Sequence, residues 1–141
     1  MPRELVARWW LPAAALLAGI AGMSAAWVAA GALAQRPLSW LGLVAAVDVA
    51  LMLRLTHAPA GRGRVAVAIA ATALIVVLAQ WLLAAARMGV LMGMEPLASA
   101  LRLGPALAWQ VVSLSLDRVD WVWLLASLPL AGILVQDPAP D

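Results

Sequence analysis

Asp48 is the one acid in LSWLGLVAAVDVALMLRL, an otherwise apolar run broken only near its far end by Arg54. A carboxyl at bilayer depth costs about 2.5–3.5 kcal/mol even on permissive insertion scales, so such a group usually faces a partner or an ion pathway. At 1.5 Å of rise per residue, Asp48 lies on the order of 15 Å from the end of its run. Ser24 in the preceding apolar run and Gln80 in the following one fall within about one helical turn of the same level. The three polar side chains are therefore expected to share a layer in which Gln80 or Ser24 hydrogen-bonds the carboxyl. Two roles suit such a layer: a proton or cation relay, or a neutral carboxyl that fixes helix packing.

Other chemistry is largely excluded by what the chain lacks. It has no Cys and a single His, His57, so thiolate chemistry is absent and no set of converging metal or haem ligands can be assembled. No metal, no cofactor and no catalytic residue is expected. Asp117 and Asp120 stand three apart before Trp121, which suits helix capping better than a paired-carboxylate metal site. A Ser-His-Asp arrangement has no support from one histidine set apart from most of the polar residues.

The elements that must position Asp48 are membrane helices. Two-thirds of the 141 residues (66%) are hydrophobic and 11% are charged, and the mean hydropathy is +1.00. That lies well outside the range of a soluble domain. About 20 apolar residues cross the hydrocarbon core as a helix. The expected fold is all-α: a single membrane domain, a polytopic bundle of four transmembrane helices over about 11–33, 38–55, 65–86 and 121–135. Between the third and fourth, polar residues recur at helical spacing (Glu95, Ser99, Arg102, then Gln110, Ser113, Asp117), and Pro96 and Pro105 each suit a first helical position. Two short amphipathic helices, about 96–103 and 105–116, are expected at the interface as a connector or a lid, with Leu97, Leu101, Leu107, Val111 and Leu114 toward lipid or bundle.

The first run carries small residues at every fourth position, Ala14, Ala18, Gly22, Ala26 and Ala30. Such a stripe lets backbones approach closely, within the bundle or between protomers. Gly89 and Gly93 form a second, terminal G-x-x-x-G. Eight Trp and no Phe or Tyr suit anchoring at the two membrane boundaries for Trp9, Trp10, Trp40, Trp121 and Trp123, with Trp27 and Trp81 in one leaflet.

Arg3 and Arg8 before the first run, and Arg54, Arg62 and Arg64 around the second loop, place the N-terminus and that basic loop in the cytoplasm by the positive-inside rule. An even number of crossings returns the C-terminus to the same side. All nine basic residues are Arg, in keeping with a GC-rich bacterial genome and a multi-pass inner-membrane location. The arginines are too scattered for a phosphate-tracking patch, so no nucleic acid is expected. The expected partners are the lipid bilayer and either further copies of the chain or a partner membrane subunit. On these grounds the chain is expected to act as a non-enzymatic subunit or homo-oligomeric scaffold of a membrane complex. A small proton- or cation-coupled transporter or channel built on Asp48 is the alternative, and an intramembrane enzyme the third reading.

Overall fold

Long runs rich in Ala and Leu, the residues with the strongest intrinsic helix preference, form helices here. The computed structural model describes residues 2–137, all-helical within those bounds. The helices are α1 (Pro2–Ala34), α2 (Leu41–Leu55), α3 (Arg62–Met92), α4 (Pro96–Arg102), α5 (Pro105–Ser115) and α6 (Arg118–Leu134). Two of them, α1 and α3, are long and apolar enough to cross a membrane. The pair α4 and α5, bent by 116°, adds a third crossing if it counts as one broken span. α2 has 15 residues and α6 has 17, a rise of about 22 and 25 Å against a hydrocarbon core of about 30 Å. Length and composition thus mark two or three crossing helices rather than the four expected. The terminal residues Met1 and Asp141, to which the sequence assigns a cytoplasmic side, lie outside the described residues.

The helix ends follow local chemistry. α1 starts at Pro2, about nine residues upstream of the apolar run, so Arg3, Glu4 and Arg8 ride on the helix. Before α2, Leu38–Trp40 form a turn, not a first helical turn. α3 runs on to Met92, where Gly93 takes a left-handed φ of 67°. The Met94 amide then bonds the Gly89 carbonyl at 2.9 Å, closing the helix as a Schellman motif. A Cβ on Gly89 would stand 2.9 Å from the Met94 carbonyl oxygen. The Gly89/Gly93 pair is therefore a helix-ending device. α6 begins at Arg118, three residues before the expected Trp121, because Asp117 caps it. Its carboxylate accepts from the Arg118 amide at 2.8 Å, while Asp120 Oδ2 accepts from the Asp117 amide at 2.9 Å.

Packing centres on α3, which touches α1, α2, α4, α5 and α6, while α2 also packs against α1 and α6. Missing side chains set the closest approaches. A Cβ on Gly42 would lie 3.3 Å from Ser127 Cβ of α6, and one on Gly132 would lie 3.2 Å from Ile69 Cδ1 of α3. Together with Arg54 at the end of α2 reaching Leu134 at the end of α6, these contacts make α6 parallel to α2 and antiparallel to α3. The core holds Trp27, Val49, Leu53, Ile75, Leu83 and Val135. Ser99, assigned to a polar face by its spacing, is instead buried against Gly89 of α3. Of the apolar side chains on the two short helices, Leu97, Leu101, Leu107 and Leu114 are exposed and Val111 is half-buried.

Candidate functional site

The shared layer expected from depth alone does not assemble around Asp48. Its carboxyl faces α1, where a Cβ on Gly19 would stand 3.2 Å from Oδ2 and 3.4 Å from Met52 Cγ. The approach is close, and a larger side chain at Gly19 would displace the carboxyl by a few tenths of an ångström. Asp48 is half-buried. Ser24 is buried, and its Oγ has no hydrogen-bond partner. Gln80 is 7% exposed, and its Nε2 is likewise without a partner. Neither group bonds the carboxyl. Counting residues fixes the level of a side chain along its helix but not the direction in which it leaves the axis. Ile75, Ala79 and Leu83 turn into the core, and Gln80, one position round from Ala79, lines a cavity between α3, α5 and α6.

That cavity, about 260 Å³, is a feature the sequence did not announce. Trp81, Trp109, Trp121, Val112 and Leu124 are among its walls. Trp109 and Trp121 meet at 5.8 Å between ring centroids, tilted by 56°, a favoured aromatic geometry. The Trp81 indole N–H is occupied by the Ala100 carbonyl oxygen at 3.3 Å. Trp27, read as a leaflet anchor, is fully buried and donates from Nε1 to the Pro37 carbonyl oxygen at 2.8 Å. The signal that could have exposed its role was its place ten residues before a proline turn that needs a donor.

No family model matches this chain, and comparison with curated proteins and with solved structures finds no match. Its chemistry therefore has to be argued from its own side chains.

The small-residue stripe of α1 faces away from the bundle. Ala14, Ala18, Gly22 and Ala26 are exposed and Ala30 is half-buried, while Pro12, Leu16, Trp27 and Gly31 are buried on the other side. A Cβ added to Gly22 would meet nothing within 4 Å. The basic residues of the second loop divide in use. Arg54 donates from Nε to the Leu134 carbonyl oxygen at 2.8 Å and from Nη2 to that of Gln136 at 3.1 Å. It thereby caps the negative end of α6. Arg64, buried, pairs with Asp137 at 2.8 Å, and Arg62 is exposed. Among the described residues no three His, Cys, Asp or Glu side chains come together.

Proposed function

We propose that this chain is a small multi-pass protein of the bacterial inner membrane that works as a non-enzymatic subunit or homo-oligomeric scaffold, associating through the alanine-glycine face of α1. One observation carries this reading: Ala14, Ala18, Gly22 and Ala26 lie exposed on the side of α1 turned from its own bundle. In lipid no hydrophobic force drives helices together, so close backbone approach at small residues becomes the main source of association. An exposed small-residue face is the surface such packing uses.

On this reading α1, α2, α3 and α6 each cross the bilayer. α2 and α6 are short, but they run beside long neighbours, and local thinning accommodates such helices at a modest cost. Support comes from Arg54 and Arg64, which hold the residues after α6 at the same end as the α2–α3 loop, as an even number of crossings requires. The positive-inside rule then puts that end in the cytoplasm.

Gly22→Leu tests the association face. With open space around that position, the substitution should leave the protomer folded and weaken association by about 1–3 kcal/mol, the range for an overpacked contact. The mass distribution in lipid nanodiscs reads this directly, and an unchanged oligomer mass overturns the reading. Asp48→Asn separates the scaffold from the ion-site alternative. Because neither Ser24 nor Gln80 bonds the carboxyl, the variant should retain the oligomer mass and cause no loss of ion flux in proteoliposomes. A flux carried by the native chain and abolished in the variant would favour the alternative.

A further inference from the structure

Where the start of α3 meets the residues after α6, a cavity of about 450 Å³ has Gly61, Arg62, Arg64, Gln136 and Asp137 among its walls. Its charges do not balance. The described residues hold one ion pair, Arg64 with Asp137, and Arg54 is committed to the carbonyl oxygens of Leu134 and Gln136. Arg62 stands exposed at the rim with no carboxylate partner among the described residues.

The backbone adds to the excess. Both arginines stand in the first turn of α3, which holds no acid and whose N-cap, Gly61, supplies no side-chain cap. The amides of Arg62, Gly63 and Arg64 precede the first intrahelical bond, and the helix end carries about half a positive charge of its own. Basic side chains favour the opposite end of a helix. Arg64 is the more telling of the two, because its side chain is only 9% exposed although it forms part of the cavity wall. An arginine is seldom buried unless paired, yet its carboxylate partner is 60% exposed and its contact with the Ala58 carbonyl oxygen is long, 3.5 Å. The cavity thus concentrates positive charge that one largely solvated carboxylate offsets in part.

Sign and donor geometry narrow the class of ligand. A cation is repelled, and an apolar group leaves the guanidinium groups uncompensated. The donors are spread over two planar forks and a helix start, which suits a tetrahedral group with several oxygens: phosphate meets a guanidinium in bidentate fashion and accepts from the amides of a helix N-terminus. Depth agrees with that chemistry. From Arg64 to Arg87, α3 rises about 34 Å against a hydrocarbon core of about 30 Å, so on the membrane reading above Arg62 and Arg64 lie at headgroup level. Basic pockets between membrane helices on the cytoplasmic side take anionic headgroups.

We infer that the cavity between the start of α3 and the residues after α6 binds a phosphate group through Arg62, Arg64 and the first amides of α3. A lipid headgroup as its source rests on the membrane placement, whereas the site itself does not depend on self-association.

The test uses the full chain in phosphatidylcholine nanodiscs, with thermal stability and bound lipid by native mass spectrometry as the readouts. Phosphatidic acid is added to one series, oleate, which brings anionic charge without phosphate, to a second, and inorganic phosphate in the buffer to a third. Saturable stabilisation by phosphatidic acid is expected, weakened about tenfold by Arg62→Gln, the equivalent of one charge-assisted hydrogen bond. Gly63→Asp is the sharper variant. A Cβ at Gly63 meets nothing within 4 Å, and a carboxylate in the first turn suits the helix end. The variant should therefore melt higher than the native chain in phosphatidylcholine alone, yet lose the response to phosphatidic acid. A purely structural role for the arginines predicts no such opposition. The same variant-sensitive response to inorganic phosphate would support the site and make its ligand soluble, while a response to phosphatidic acid alone makes it a lipid. No saturable response to either, an equal response to oleate, or binding unchanged in both variants overturns the proposal. Incorporation into discs reports the membrane placement and oligomer mass reports self-association, so a failure to bind in loaded discs bears on the cavity alone.

Discussion

Trp27→Ala is expected to lose about 3–5 kcal/mol, the range for emptying a fully buried aromatic site, out of a total that for most domains is about 5–15 kcal/mol. Two effects combine. The indole is completely buried in the main core, and its N–H is the donor to the Pro37 carbonyl oxygen at 2.8 Å. That carbonyl belongs to a turn in which Gln35 and Leu38, neither of them glycine, sit at φ of 55° and 48°, costing of order 1–3 kcal/mol each. Gln35 recovers part through its own side chain, which donates to the Ala32 carbonyl oxygen at 2.8 Å. Trp27 holds the rest of the turn to the core. Trp27→Phe should lose less, about 1–3 kcal/mol, because most of the ring volume stays while the carbonyl is left unpaired. Denaturation of the purified protein in mixed micelles by added dodecyl sulfate, followed by helix content, measures both. A loss under 1 kcal/mol for Trp27→Ala would contradict the assigned contact.

The helical character and the breaks between helices were legible because they rest on local chemistry. Gln35-Arg36-Pro37 follows the end of α1, the Gly61–Arg64 stretch opens α3, and Pro96 and Pro105 open α4 and α5. What composition could not supply is azimuth. Asp48, Ser24 and Gln80 were placed at one level by counting, yet they leave their helices in different directions, toward Gly19 in one case and the α5–α6 side in another. With alanine so abundant, apolar periodicity distinguishes the faces of these helices poorly, since nearly every face is apolar. The same ambiguity hid the roles of the tryptophans. An indole reads equally well as lipid anchor or core, and only the Pro37 carbonyl distinguishes Trp27 from Trp10, which is exposed. Long-range polar ties such as Arg54 to Leu134 were beyond reach, because eighty residues separate the partners and nothing local marks the pairing.

Gly31→Leu is expected to be as damaging to the protomer as Gly22→Leu is harmless, and the contrast tests the assignment of the two faces of α1 within one helix. At Gly31 a Cβ would stand 3.1 Å from both methyl carbons of Leu83 on α3 and 3.1 Å from the Arg36 carbonyl oxygen. Leu83 is itself 2% exposed and has nowhere to retreat. The Arg36 oxygen is backbone, held by the bond its own amide makes to the Gly31 carbonyl at 3.2 Å. A leucine must therefore pry α1 from α3 or unfold the turn that Trp27 secures, at about 3 kcal/mol, the upper part of the overpacking range. At Gly22 the added side chain meets open space, and a residue other than glycine in a helix interior is even mildly favourable to the helix itself. The expected pattern is a crossed one. Gly31→Leu lowers the dodecyl sulfate midpoint, whereas Gly22→Leu keeps the midpoint and shifts the nanodisc mass toward monomer. Equal midpoints for the two variants would mean that α1 does not press against α3 at Gly31. A lowered midpoint for Gly22→Leu would mean that the protomer's own bundle already covers the alanine-glycine face, leaving no surface there for a second chain.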